Sequence, residues 1–490
     1  LVGSLNAGGQ GYFALNVTNP TDTSKTAPTF AAANAANLLL WEFSSTDDAD
    51  MGYTHNLSPV DPFTSQARQI VKMENGQWAV VVGNGYNSKN KGVSLYVVRL
   101  SDGVLIKKIT ALATDSDILT LTEELGLREK VLFPRPKTSY WIDGQIYRSE
   151  MNASMLRLPL SPISLVRMGL AGVYLKFLTS DWRGLEQVTA DSWLRRWMGE
   201  EAYSRLWQPL LIGKFADLYR EVNMAWLWAR IKTRSIRLGI FEGGFQAFLD
   251  AFAAKLIAAG VEICLSTPIQ RIAVRDEKPV LTTKAGEAQY DIVLTTTSPS
   301  LLLRMAPDLA DTPYGRQAAA LRSIGALCLV LALKEPLLTD GTYWLNLPAT
   351  SSDKRATRFP FLALVEHTNW MDRANYGGDR LVYCGDYVPA DHEYFSMSDE
   401  ALIERFTSVL PTVNPAFKPE WIRKSWVFRA PYAQPVPGLR HSEKIPPLRT
   451  PLPGVYWASM SQVYPWDRGT NFAVEIGRRV ARLALGEANA

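Results

Sequence analysis

The chain has 490 residues, 47% of them apolar, which suits roughly two to four globular domains of about 100–200 residues and excludes a disordered polymer. Lysine and arginine number 52 against 48 aspartates and glutamates, and this formal charge of +4 is scattered, so nucleic acid is not an expected partner. No stretch reaches the ~20 apolar residues that cross a bilayer, Leu1-Val2-Gly3-Ser4 has no signal-peptide layout, and a start other than Met reads as a piece of a longer frame.

Residues 1–112 alternate short β-type runs with turn clusters. Runs at 77–82, 93–100 and 104–109, separated by a polar loop at 83–92 and by Ser101-Asp102-Gly103, predict antiparallel sheet. Asp48-Ala49-Asp50 invites a calcium reading, but Gly52 is one residue early and Pro59 stands where the last ligand would be, so an Asp-rich turn is expected.

From 113 the pattern becomes helical and mixed. Ile118, Leu119, Leu121 and Leu125 behind Asp115-Ser116-Asp117 predict a capped helix closing at Gly126. A long helical region from about Leu156 to Arg234 carries Trp182, Trp193, Trp197, Trp207, Trp226 and Trp228, which suit either a hydrophobic substrate cavity or a packed helical core. Within it, 161–178 is apolar enough to touch a membrane surface. Arg167 and Lys176, however, fall where a helix with a buried face would place polar residues, and membrane contact is the lesser reading.

Phe241-Glu242-Gly243-Gly244-Phe245 opens a helix over 246–259 closed by Gly260, and Val261-Glu262-Ile263-Cys264-Leu265 is predicted as the strand that follows, half of a βαβ unit. A hairpin over 278–290 and a buried strand from Asp291 to Pro299 come next; open α/β sheets hold ligands at such carboxyl ends. The segment 323–434 is strand-rich, with Trp426, Phe428 and Tyr432 as substrate walls or as core. Cys264, Cys328 and Cys384 each lie in an apolar run and are expected as buried thiols.

At the C-terminus a strand over 454–460, a loop over 464–471 and a helix over 472–485 are predicted. The helix N-terminus suits an electron-rich ligand atom, with Thr470 or Asn471 as an ordinary cap being the alternative. His55, His367, His392 and His441 are isolated, and no metal site or catalytic base is assigned.

The order and spacing of Gly243-Gly244, Pro268-Ile269, Tyr290-Asp291-Ile292-Val293 leading to Ser298-Pro299, and Gly454-Val455-Tyr456 leading to Arg468-Gly469-Thr470-Asn471 resemble one family from about Asp115 to Ala490. It is the flavin-containing amine oxidase, protoporphyrinogen oxidase and phytoene desaturase superfamily. The resemblance implies an α/β FAD-binding domain, Rossmann-like but truncated, over 113–137, 235–310 and 440–490, with its first βαβ missing. A mixed helical and β substrate domain over 138–234 and 311–439 completes it. Hydride transfer from an amine or a hydrophobic polycyclic or polyene substrate to FAD is the implied reaction.

By the same resemblance Ile269 meets the adenine through its backbone, while Asp467, Arg468, Gly469, Thr470, Asn471 and Ala473 meet the ribityl chain and isoalloxazine. Ser298 follows its strand as a small-residue turn, and Ser459 stands in Ala458-Ser459-Met460 where many members place an acidic residue. No Gly-x-Gly-x-x-Gly turn precedes Asp115: Gly9-Gln10-Gly11 lacks a strand before it, and Gly83-Asn84-Gly85 leads into a loop and another strand.

Residues 1 to about 110, through 8–18, Leu40-Trp41-Glu42-Phe43, 47–52 and 83–88, resemble part of the C-terminal quinoprotein-like β-propeller of type IV pilus tip and assembly proteins. That implies a cell-surface or periplasmic location and pilus components as partners for this segment, against a cytoplasmic location for the oxidoreductase part. Three functions stand side by side: an FAD oxidoreductase, active or disabled by the missing pyrophosphate loop; an extracellular pilus-associated binding fragment; and a chimera without activity.

Overall fold

The computed structural model describes residues 1–17, 38–54, 70–73, 75–85, 93–111, 116–148, 158–234 and 238–486. Residues 86–92 of the loop expected at 83–92, His55, Pro59 and the boundary expected at 112–113 lie outside the described residues. The chain divides into two compact units, Leu1–Ser116 and Asp117–Ala490.

Two antiparallel sheets make the first unit. Strands β1 (Val2–Ser4), β2 (Gly11–Leu15) and β3 (Leu39–Ser44) form one, and β4 (Ile70–Lys72), β5 (Trp78–Gly83), β6 (Val93–Arg99) and β7 (Leu105–Ala111) form a meander in sequence order. Side chains alternate across a pleated strand, so Tyr12, Trp41 and Phe43 from one sheet and Val80, Val82, Tyr96 and Val98 from the other close on one core around Met51. The ammonium of Lys108 sits between Asp48 and Asp50 at 2.8 and 2.6 Å, filling the acidic turn with a side-chain cation.

The second unit begins inside the first turn of α1 (Ser116–Glu124), which gives way to Gly126 in the left-handed region at φ +69°. The predicted helical region resolves into α2 (Pro162–Val173) continued by a π-helical turn (Tyr174–Leu178), then α3 (Ala190–Met198), α4 (Gln208–Phe215) and α5 (Met224–Thr233). Ser161, Thr189 and Asn223 cap α2, α3 and α5 by accepting from the N–H groups of Ser164, Ser192 and Trp226. Trp193, Trp226 and Trp228 are core residues packed with Leu194, Met198 and Phe215, and Trp182 and Trp207 border that core. Packing therefore accounts for five of the six tryptophans; Trp197, 53% exposed, is the exception.

Strands β8 (Val131–Leu132) and β11 (Ile240–Phe241) pair with each other, while β9 (Thr138–Ile142), β10 (Gln145–Arg148), β16 (Ser323–Leu333), β17 (Trp344–Asn346), β18 (Ala363–Glu366), β19 (Arg380–Val388) and β20 (Ile422–Pro435) form a seven-stranded sheet. Its order is β10-β9-β17-β18-β19-β16-β20. One face buries Leu327, Leu329, Leu331, Val382 and Cys384 against Leu402 and Phe406. The opposite face is only partly covered.

The nucleotide-binding segment departs from expectation. Gly243 and Gly244, at φ +84° and +80°, turn the chain into α6 (Gly244–Ala258), and Gly260 ends it at φ +88°. The strand predicted at 261–265 does not form, and Val261, Ile263 and Leu265 lie exposed on irregular backbone. A strand exists only by hydrogen bonding to a neighbour. The sheet it would join holds just β15 (Val293–Thr295) and β21 (Val455–Trp457), paired in parallel. Phe245, Leu249 and Ile257 on α6 are left exposed as well.

Cys264, in the unformed strand, is consequently exposed and not buried; Cys328 is half-buried and Cys384 buried. The hairpin predicted at 278–290 is present as β13 (Lys278–Thr283) and β14 (Gly286–Gln289), paired with β12 (Arg271–Arg275), which begins two residues after Pro268-Ile269. Helices α7 (Pro299–Met305), α8 (Pro313–Ala319), α9 (Asp399–Thr407) and α10 (Thr470–Ala484) complete the elements used below. Leu302, Tyr314 and Trp457 pack with Val293 and Val455 in a third core.

Candidate functional site

The register of the seven-stranded sheet decides what its open face presents. Tyr387 lies opposite Ala326, Gly385 opposite Cys328 and Tyr383 opposite Val330, while β20 sets Ala430, Phe428 and Trp426 against the same three positions of β16. These side chains share a face by the two-residue period of a strand. In its middle, a Cβ added at Gly385 would meet nothing within 4 Å, so the face is hollow there. Trp426 and Phe428, expected as substrate walls, are exposed on this face near its edge.

A polar cluster stands at the Tyr387 end. Arg468 Nε donates to Gln434 Oε1 at 3.0 Å, and its Nη2 donates to the Tyr387 hydroxyl. Gln434 Nε2 donates to Asp467 Oδ1 at 3.2 Å, and Arg230 on α5 is paired with the other carboxylate oxygen. Lys214 on α4 places its ammonium 3.9 Å from the centroid of the Tyr387 ring. Gly213 permits that approach, since a Cβ there would collide with Leu362.

Lys214 is half-buried beside the Tyr387 ring. Burial, reinforced by Arg230 and Arg468 and opposed by Asp467, holds its ammonium well below the usual lysine range. Burial works to raise the Asp467 carboxyl, but Arg230 and Lys214, with the Gln434 hydrogen bond and Arg468, outweigh it and leave it below the ordinary value.

The loop that carries Asp467 and Arg468 is held at both ends. Trp466 stacks between Trp228 at 5.5 Å and Phe472 at 5.9 Å. The Tyr464 hydroxyl donates to Glu186 at 3.0 Å and accepts from Asn223 Nδ2 at 3.0 Å; Ser442 supplies Glu186 with two more hydrogen bonds. A separate pocket of about 270 Å³, lined by Trp182, Ser442, Pro447, Gln462, Tyr464 and Arg479, borders Tyr464 and includes neither Gly385 nor Lys214.

Gly469 and Thr470 are exposed where α10 begins, Ala473 is exposed one turn on, and no side chain caps the helix. Thr470 and Asn471 therefore do not cap it. Asn471 is turned away, accepting from Ile118 N–H at 3.1 Å and donating to Asp117 at 3.4 Å. Tyr432 bonds the Ser461 hydroxyl at 2.6 Å, so its hydroxyl already has a protein partner.

Ser298 and Ser459 both follow the carboxyl ends of β15 and β21, where Trp457 Nε1 donates to Thr297 O and Ala458 N–H to Thr295 O. Each hydroxyl is committed locally: Ser298 caps α7, and Ser459 forms a capping box with Gln462. Ile269 sits just outside the β12 ladder, whose neighbouring bond runs from Gln270 N–H to Thr282 O at 2.8 Å, and packs against the third core.

Of the residues expected from sequence, Asp467 and Arg468 join the polar cluster, Gly469, Thr470 and Ala473 form the open helix end beside it, and Ile269, Ser298 and Ser459 lie around the parallel pair. Lys214, Arg230, Tyr387 and Gln434 were not singled out. Only Lys214 left a signal, as the one charge within Pro209-Leu210-Leu211-Ile212-Gly213-Lys214-Phe215-Ala216.

The donor set fits one end of a flavin and not the middle. An uncapped helix start with small, exposed residues beside the Arg468 guanidinium and the Lys214 amine suits an electron-rich ring edge. For a diphosphate, the Ser298 and Ser459 hydroxyls at the ends of β15 and β21 are already in use, and the described residues there include no glycine-rich turn.

A family model described as flavin containing amine oxidoreductase matches residues 109–485, and one for the PilY1 beta-propeller domain matches residues 1–116. The type IV pilus biogenesis factor PilY1 of Pseudomonas aeruginosa strain UCBPP-PA14 is 40% identical over 109 residues, 22% of this chain and 7% of that protein. The chain thus spans less than a tenth of the length of that relative. Among solved structures, one from Exiguobacterium sp. 255-15 described as a protoporphyrinogen oxidase aligns with a TM-score of 0.59 at 16% identity, covering 77% of this chain and 88% of that one. Cyclohexylamine oxidase from Brevibacterium oxydans IH-35A aligns with a TM-score of 0.54 at 14% identity, covering 78% and 88%. At such identities the likeness concerns the fold.

Proposed function

Because the chain belongs to the flavin-containing amine oxidoreductases, we propose that residues 113–137, 235–310 and 440–490 bind FAD and that 138–234 and 311–439 hold the substrate over Gly385. When bound, the flavin supplies the acceptor for a hydride. The observation that carries this reading is the junction of the open α10 start with the cluster of Arg468, Tyr387 and Lys214 beside the hollow sheet face. Gly469, Thr470 and Ala473 would border the ring, with Ile269 at the adenine; Ser298 and Ser459 line the strand ends between them.

Lys214, held toward its neutral form, is the group placed to accept a proton as substrate is oxidised. Asp467 is already satisfied by Arg230 and Gln434, and the guanidinium of Arg468 brings further positive charge to the same end. A hydrophobic substrate, laid along Tyr383, Phe428 and Trp426, is therefore favoured over a protonated amine.

Purified protein should take up FAD and turn yellow. Since the donors gather at the ring end, riboflavin should compete with FAD to within about tenfold, a difference of about 1.4 kcal/mol. Protein that stays colourless and binds neither in a titration would reject the reading and leave the inactive chimera.

The first unit favours a second reading of its own. Its meander β4 to β7 has the strand number of one propeller blade, and its likeness to a pilus biogenesis factor supports a cell-surface role with pilus components as partners. Labelling of intact cells with an antibody against residues 1–116 tests this, and labelling that requires cell lysis would count against it.

A further inference from the structure

Helix α2 and its π-helical turn bury one stripe and expose another. Ser164, Met168, Ala171 and Leu175 face the protein, whereas Ile163, Val166, Leu170, Val173, Phe177 and Leu178 face outward. This outward stripe is no thin scatter: Ile163 is 74% exposed, Leu170 68%, Phe177 68% and Leu178 73%. Isolated surface leucines need no explanation, but a contiguous apolar stripe more than four turns long marks an interaction surface.

The two charges on this helix do not make it an ordinary half-wet one. Arg167 folds back to donate to the carbonyl oxygens of Trp197 and Arg196, and Lys176 donates to those of Lys232 and Arg234. Each cation thus serves the carbonyl end of a neighbouring helix, α3 or α5, where the dipole favours positive charge. The outward stripe is left aliphatic, with Tyr174 and Trp197 exposed at 43% and 53% beside it.

We propose that this face lies on an anionic lipid bilayer. The aliphatic residues would enter the acyl boundary, and Tyr174 and Trp197 would sit at headgroup level, as amphipathic aromatics do. Complementary charge selects the partner. Arg167, Lys176, Arg196, Lys232 and Arg234 belong to the residues that frame the stripe and outnumber its carboxylates, Glu201, held by the Ser161 and Ser164 hydroxyls, and Glu200, already paired with Arg195. At 12 residues plus a five-residue turn, the helix is about 25 Å long and lies on a bilayer instead of crossing it. Among the described residues, no helix is long and apolar enough to cross a membrane. The surface is independent of whether flavin is bound.

Flotation of the full chain with vesicles tests the assignment. Protein should float with phosphatidylcholine vesicles containing phosphatidylglycerol, and float less with phosphatidylcholine alone or at raised salt. The double variant Leu170→Glu/Phe177→Glu should weaken flotation by about tenfold or more. Leu249→Glu/Ile257→Glu, which places the same charges on the exposed stripe of α6, should leave it unchanged. Three results would overturn the proposal: no flotation, equal loss in both double variants, or light scattering that shows a dimer which Leu170→Glu/Phe177→Glu dissociates.

Discussion

Lys354→Ala should cost about 3–5 kcal/mol of unfolding free energy at pH 8. Lys354 donates to Asp386 Oδ1 at 2.8 Å, and both side chains are almost fully buried beneath the seven-stranded sheet. Removing the lysine strands a carboxylate in an apolar layer, whereas Lys354→Met with Asp386→Leu removes both charges and should stay near the parent protein. Burial pushes the Asp386 carboxyl up to about 6, against the pull of Lys354 and of backbone hydrogen bonds. Its folded value lies above the ordinary 3.8, so its proton-linked stability is complete below about pH 4 and lost as pH rises through about 6. Without Lys354 the carboxyl rises further, and the deficit should therefore shrink between pH 8 and pH 5. Urea unfolding followed by tryptophan fluorescence at both pH values decides the matter; an equal loss at each would mean that the pair is not electrostatically coupled.

Acid is expected to weaken the second unit through His441. The imidazole is buried 5.0 Å from the Tyr464 ring. Burial, aided by Lys444 and opposed by Glu186, draws it down from 6.5 to about 4. A histidine lowered on folding stays neutral in the folded state. Its contribution is thus present above about pH 6.5 and lost as pH falls toward 4, up to about 3 kcal/mol at 1.36 kcal/mol per unit. His441→Gln should remove that much of the stability difference between pH 7 and pH 4. Asp386, and Glu366, which burial pushes up to about 7, act in the opposite sense over much of this range, so the comparison must be variant against parent at each pH. If both show the same acid limb, His441 is not the group that titrates. Because Tyr464 and Glu186 hold the loop of Asp467 and Arg468, bound flavin should be released along the same limb.

Local pattern carried much of the secondary structure. Helix α1 with Gly126, the helical character of the region from Leu156 to Arg234, the hairpin β13–β14 and the final helix depend on neighbours a few residues away. The strand expected at 261–265 failed because its stability is not local: β-propensity needs a ladder partner, and here the parallel sheet stops at two strands. Cys264 was misplaced with it. The site divides in the same way. Asp467, Arg468, Gly469 and Thr470 are contiguous in sequence and fall in one motif, but Tyr387, Gln434, Arg230 and Lys214 meet Asp467 and Arg468 from four separate elements.

By itself the sequence determined that two unlike segments share one chain, that the longer has the order of motifs of a flavin oxidoreductase, and that helix 161–178 is unusually apolar. Only the tertiary structure decided that Lys214 approaches the Tyr387 ring, that the sheet face is hollow at Gly385, and that Arg167 and Lys176 turn onto helix ends and leave an outward apolar stripe. The physical reason is that burial and charge pairing are sums over neighbours distant in sequence, which no window along a chain contains.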